Sequence, residues 1–461
     1  MSAVTRTWCG VLCLSQLVTQ KKKTKKNNNN LCGSDMLIGA CDRSDVAPGS
    51  RLHTGIELIE HQIYGGLYAQ MLTGESFEEV GNSTTGISAQ WAVGGTGARP
   101  GVTHNITSVP GRGGAAAAPG VVAPINGLQY LAMGGTAATV SHSKLWAENR
   151  GLGFAGMTFV QGRPYEGWLL AGAVGAATAV TVELRCGSNA SYDTTRALAT
   201  TPTLALTECD PTSPWQLVNF TVTPSRGCVG EGALVIAVAP LAPAVRLDMA
   251  YLQPGDWGRY KGLPVRKDLA EYLVGSGIKG MRMGGGSINA AAQTPANSSV
   301  GSGYVLANFR GPRIHRQPLM GEEYPVCSAG WGWVDFANFC EAANLTAAIT
   351  LNERDDPVAV VEYLFGSADT TDGGALRAAD GHPAPYARDR ILLEIGNERM
   401  PGSNPACPGN DCVAAFFSFA AAAQNRATEL NLGKLRLVVC LYAWGLFDPA
   451  NAIQKSIVRT L

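Results

Sequence analysis

The run Arg390-Ile391-Leu392-Leu393-Glu394-Ile395-Gly396-Asn397-Glu398 constrains the fold of this chain more than any other stretch. A short apolar run ending abruptly in a polar tip reads as a strand buried on both faces, the kind found in parallel sheets. Such a strand needs neighbours of its own kind, and residues 52–60, 278–283, 346–352 and 435–442 supply them. Helical spacing lies between them: Arg266 to Leu273, Trp331 to Ala343, Asp356 to Phe365 and Val413 to Leu430. A turn and then a helix through Leu67, Met71 and Leu72 are expected in His61 to Val80. Strands alternating with helices give an α/β fold with a parallel sheet. Five such strands are three short of a closed eight-stranded barrel, so the expectation is an incomplete (β/α)8-type barrel.

Between Gly81 and Asp256 the texture changes. Short β-branched and aromatic runs alternate with Gly, Pro, Ser and Asn: Gln129 to Leu131, Gly156 to Val160, Val180 to Leu184, Trp215 to Val222, Ala233 to Val238 and Val245 to Tyr251. This pattern is all-β and predicts a β-sandwich. Trp146, Tyr165, Trp168 and Trp215 are available as sugar platforms, but aromatic residues supply most of a small sandwich's buried area and are assigned to its core. The apolar run Trp168 to Val182 is too short to span a bilayer and reads as two strands. The expected organisation is a signal-like or disordered tail (1–50), a first barrel strand and helix (51–80), an inserted carbohydrate-binding-like sandwich (81–256) and a barrel that ends after strand five (257–461).

A length of 461 residues exceeds one ordinary domain. The formal net charge of zero gives no electrostatic field for nucleic acid or an anionic membrane surface. The 12 cysteines imply no pairing, although Cys407 and Cys412 stand close enough in sequence to close a small loop. Metal-ligand spacing is absent, so no metal is expected. Sequons at Asn82, Asn105, Asn189, Asn219, Asn297 and Asn344 point to a secreted protein. The polar tract from Lys21 to Asn30 reads as disordered. Oligomeric state is not encoded in any feature of the sequence.

Three expected strands end on or beside a carboxylate, at Glu60, Glu353 and Glu398. Barrel enzymes carry their catalytic groups at these C-terminal ends, while an ordinary turn is the plainer reading of Gly-Asn-Glu. Glycoside hydrolysis needs two carboxyl groups facing one another across the scissile bond. Glu394 cannot oppose Glu398, because four residues along a strand separate them by about 13 Å. Glu60 meets the requirement on geometry. The acidic cluster containing Glu353 is assigned to capping the helix that follows. Gly284-Gly285-Gly286 lacks a following Gly-Lys-Ser/Thr and is not a phosphate loop.

Several longer segments carry a resemblance. They are GIELIEHQIYGGLYAQMLTGESFEE, VRLDMAYLQPGDWGRYKGLPVRKDLAEYL, NFRGPR, GWGWVDFANFCEAAN, EYLFGSADTTDGGALRAADGHPAPY and ILLEIGNE. In this order, from about residue 52 to about residue 400, the chain resembles the α-L-arabinofuranosidases of glycoside hydrolase family 51. The resemblance implies retaining hydrolysis of terminal α-L-arabinofuranosyl residues from arabinan or arabinoxylan-type polymers, without a cofactor. It implies that Glu398 is the general acid/base, that Asn397 holds the sugar's 2-hydroxyl, and that Glu60 binds the ring. Arg282 and Ser287 fall in the stretch matching an Arg-Phe-Pro-Gly-Gly-Asn type motif, with Ser287 in place of a sugar-binding Asn. Leu306 stands where many members have Trp. The family nucleophile lies beyond the fifth strand and the chain stops at Leu461, so the sequence reads as truncated. Two other readings stand beside this one: a carbohydrate-binding protein without turnover, and a related glycosidase acting on another sugar.

Overall fold

A computed structural model describes residues 53–57, 61–78, 88–94, 101–106, 129–134, 145–187, 194–208, 215–238, 244–285, 288, 304–319, 329–352, 354–399 and 411–441. The first strand, β1 (His53–Glu57), leads into a turn at Ile63–Leu67 instead of the expected helix. Gly65 sits at a φ of +82°, and a Cβ on Gly66 would lie 2.4 Å from the His61 carbonyl oxygen. Of the periodic apolar residues Leu67 and Leu72 are buried and Met71 partly so, but in two different cores. Ile63, Leu67 and Tyr68 join the core of the parallel sheet, while Leu72 and Phe77 enter that of the sandwich. The segment is a strap between modules, and its 3.6-residue spacing misleads.

Twelve strands follow. They are β2 (Trp91–Gly94), β3 (Gly101–Ile106), β4 (Gln129–Gly134), β5 (Leu145–Asn149), β6 (Met157–Phe159) and β7 (Tyr165–Val174), then β8 (Thr178–Cys186), β9 (Ala197–Thr200), β10 (Leu204–Leu206), β11 (Gln216–Val222), β12 (Cys228–Val238) and β13 (Ala244–Pro254). They form two antiparallel sheets, one ordered β10-β8-β12-β5-β2 with β6 and β9 alongside, the other β11-β7-β13-β4-β3. Alternate residues face inward, so Leu169 and Ala171 from one sheet share a core with Val182, Leu184, Leu234 and Ile236 from the other. The apolar run Trp168 to Val182 is split between β7 and β8, which belong to different sheets. No helix among the described residues is long and apolar enough to cross a membrane. Trp146, Tyr165 and Trp215 are buried, as assigned, whereas Trp168 is only half-buried. A disulfide between Cys186 and Cys228, with Cα atoms 5.7 Å apart, joins β8 to β12. That pairing had no signal in sequence. Cys407 and the Cys412 side chain lie outside the described residues.

The chain then returns to the parallel sheet through α1 (Lys267–Gly275), β14 (Gly280–Gly284), the single turn α2 (Leu306–Phe309) and α3 (Trp333–Ala342). After these come β15 (Thr346–Leu351), α4 (Pro357–Phe365), α5 (Asp372–Ala379), β16 (Ile391–Arg399), α6 (Asp411–Glu429) and β17 (Leu437–Leu441). The order is β1-β14-β15-β16-β17, every pair parallel, so the five expected strands pair in chain order. All six residues of β15 are buried, in keeping with its largely apolar sequence, and Thr346 and Thr350 are its polar side chains. Asp356 starts α4 by accepting hydrogen bonds from the backbone N–H groups of Val358 (2.8 Å) and Ala359 (3.4 Å), with Pro357 at the first helical position.

Candidate active site

Three parallel strands meet at one guanidinium, and a fourth joins them through Thr350. Arg282, on β14, donates from Nε to Glu394 Oε2 on β16 at 2.7 Å and from Nη2 to Asn397 Oδ1 at 2.7 Å. Its Nη1 faces Glu57 Oε1, on β1, at 3.4 Å. Thr350, on β15 and paired in register with Glu394, donates its hydroxyl to the same Glu394 oxygen at 2.5 Å. Glu394 is only 1% exposed. A carboxylate so thoroughly removed from water is tolerable only when paired and hydrogen-bonded, and Arg282 and Thr350 supply both conditions.

Glycines let these strands approach. A Cβ on Gly284 would lie 2.0 Å from Thr350 Oγ1, and one on Gly285 would lie 1.9 Å from the Glu57 carboxyl carbon. The glycine-rich stretch that departs from the Arg-Phe-Pro-Gly-Gly-Asn pattern therefore gives the network room. In a regular strand Glu394 and Asn397, three residues apart, face opposite sides. Gly396, at a φ of +69°, breaks that alternation, and the pairing of β16 with β17 shifts register between Ile395 and Arg399. The bulge turns Asn397 to the side of Glu394, and both reach Arg282. Arg282 donates to Oδ1, which fixes Nδ2 as the donor end of the Asn397 amide.

Of the five site residues expected from sequence, the structure brings Arg282 and Asn397 together. Glu398 follows Asn397 within β16, but its side chain lies outside the described residues, as do Glu60 and Ser287. Glu353 does too, and the cap on α4 comes from Asp356. Sequence reasoning missed Glu57, Thr350 and Glu394 as a set. A signal existed for one of them, since Glu394 interrupts an apolar strand and a charge there demands a partner. Nearby, Asp355 accepts hydrogen bonds from the backbone N–H groups of Leu306 (2.7 Å) and Asn352 (3.2 Å), tying the loop after β15 to α2. Burial pushes the Asp355 carboxyl up to about 7, with the two backbone bonds pulling the other way. Among the described residues, no three His, Cys, Asp or Glu side chains converge to hold a metal ion.

The cluster of carboxylates, an amide and one guanidinium is of the residue types that recognise a hydroxyl-rich ligand by hydrogen bonds. The solved structures similar to this chain include an arabinose-bound MgGH51 α-L-arabinofuranosidase, with a TM-score of 0.64 and 19% identity over 87% of this chain. This chain spans 60% of the length of that structure. The likeness establishes the fold, and the resemblance read from the sequence motifs holds at that level. A GH51 α-L-arabinofuranosidase from Thermotoga petrophila RKU-1 (18% identity, 40% of this chain, 35% of that one) has a TM-score of 0.31. The CBM22-1 xylan-binding domain of Paenibacillus barcinonensis Xyn10C (14% identity, 41% of this chain, 96% of that one) has a TM-score of 0.24. Likenesses of that size carry no weight of their own. No protein-family model matches the chain, and no curated protein does.

Proposed function

We propose that the chain belongs to a retaining α-L-arabinofuranosidase that removes terminal non-reducing residues from arabinan or arabinoxylan-type polysaccharides. The observation that carries this reading is the network in which Arg282 fixes Glu394 and Asn397 at the end of β16, one residue before Glu398. Such a network holds the strand tip rigid, as a proton donor aimed at one glycosidic oxygen requires. In this reading Asn397 donates to the sugar's 2-hydroxyl, a bond that strengthens as the ring becomes oxocarbenium-like. Glu398 protonates the departing oxygen while a second carboxylate attacks the anomeric carbon. Glu398 then takes a proton from water, which releases arabinose with its configuration retained. Glu60 and Ser287 bind the ring. Glu57 and Glu394 are held by Arg282, and neither is assigned the nucleophilic role.

Five parallel strands in chain order are read as one arc of a (β/α)8 barrel, with residues 81–256 as an inserted carbohydrate-binding-like sandwich. The Cys186–Cys228 disulfide, together with the sequons, supports secretion. The test is release of arabinose from an aryl α-L-arabinofuranoside. Activity is expected in a parent that carries the second carboxylate, which the resemblance places beyond the fifth strand, and is expected to fall at least a hundredfold in Glu398→Gln, the general scale for losing a proton-transfer group. Binding of arabinan without any release would leave only the non-catalytic reading.

A further inference from the structure

A groove of about 550 Å³ lies between the outer face of the β11-β7-β13 sheet and the segments around Arg259 and Arg313. That volume is within the roughly 300–1,000 Å³ of small-molecule sites. Strand register orders its floor into rows. Thr221, Glu166 and Gln253 stand side by side across β11, β7 and β13, and so do Asn219, Trp168 and Tyr251. The indole of Trp168 lies parallel to the Tyr251 ring, with centroids 5.2 Å apart and an interplanar angle of 1°. Asn219 and Thr221 are exposed, so polar groups flank a half-buried Trp168 that is backed by the buried Tyr251.

The charges around the groove are neutralised in place. Arg259 binds Glu166 at 2.9 Å and Asp256 at 2.6 Å, and Arg313 binds Asp335 at 2.8 Å. The opposite wall is also held firmly, because Asp335 accepts from Arg316 at 2.6 Å and from the Gly332 backbone N–H at 3.0 Å. A site with flat aromatic area, amide and hydroxyl groups and no net field favours a neutral, hydroxyl-rich ligand over an anion.

A run of packed rings leads from the groove floor into the segment that follows β1. Rings pass from Trp168 to Tyr251, from Tyr251 to Tyr68 (6.2 Å) and from Tyr68 to Tyr64 (5.5 Å). Tyr64 in turn accepts from the Trp331 backbone N–H at 3.3 Å, just ahead of α3.

We infer that this groove is a second sugar site, holding a stretch of the pyranose main chain of a branched polysaccharide. The identity of the polymer rests on the function proposed above; the existence of the site does not. Xylan freed of arabinose is the probe, because it presents a main chain with no arabinofuranosyl branch. The full chain is made without N-glycans, since Asn219 heads a sequon in the groove. Affinity electrophoresis against the polymer is run for the parent, Trp168→Ala and Asn219→Arg, beside hydrolysis of the aryl arabinofuranoside. Both variants are expected to lose at least tenfold in polymer affinity with aryl hydrolysis unchanged. If Trp168→Ala does not fold, Asn219→Arg decides, because it changes an exposed residue. No affinity in the parent, or affinity unchanged in Asn219→Arg, overturns the groove and leaves the catalytic reading intact. Affinity that the variants abolish, in a parent without hydrolysis, upholds the groove and removes the catalytic reading.

Discussion

Strand β15 buries all six of its residues, whereas β11 alternates exposed Leu217, Asn219 and Thr221 with buried Phe220 and Val222. The two strands belong to sheets that carry polar groups in opposite ways. A strand covered on both faces has only its tip to offer, and any charge further back must be met by a charge from another strand. Hence Glu57, Arg282, Thr350, Glu394 and Asn397, from four strands, converge at one end of the parallel sheet. A strand covered on one face offers every second residue, and the groove on the sandwich is assembled row by row. The first arrangement is cooperative and intolerant of change. The second is additive and forgiving.

Substitutions of opposite severity test that contrast. Arg282→Leu leaves Glu394 buried without its cation, and removal of one member of a buried pair costs about 3–5 kcal/mol. Denaturant unfolding should show that loss, and a cost below about 1 kcal/mol would mean that the network is not cooperative. Next in size is the pH dependence arising from Asp355. Its folded carboxyl, at about 7, holds a proton more tightly than the ordinary 3.8 of an unfolded chain. Between those values the folded state binds more protons, so this contribution is complete below about pH 4 and disappears as pH rises through about 7. The full shift corresponds to at most about 4 kcal/mol. Asp355→Asn should flatten that slope in melts collected from pH 4 to 8. At the small end, Asn219→Arg in the groove should alter unfolding free energy by no more than about 0.5 kcal/mol. A loss of several kcal/mol there would erase the distinction between the two surfaces.

The parallel strands were legible because each is a local apolar run, and all five lie within a few residues of where periodicity set them. The helix expected over Asp356 to Phe365 is α4, although its cap is Asp356 and the sequence reading gave that role to Glu353. The strap at 61–78 was misread because its apolar residues serve two cores, and the conformation of Gly65 and Gly66 outweighs the spacing. The Arg282 network was invisible because its members lie up to 340 positions apart, from Glu57 to Asn397, and meet only through strand order and the Gly396 bulge. The groove needed more still, because one wall comes from the sandwich and the other from segments that precede α1 and α3.

In the proposed reaction Glu398 acts as acid and then as base on a glycosyl-enzyme. Azide rescue of Glu398→Ala, with an aryl α-L-arabinofuranoside that needs no protonation to leave, tests it most directly. Restored turnover and an arabinofuranosyl azide of retained α configuration are expected, because the small anion takes the place of the water that Glu398 would have activated. An inverted azide, or parental turnover by Glu398→Ala without azide, would contradict it.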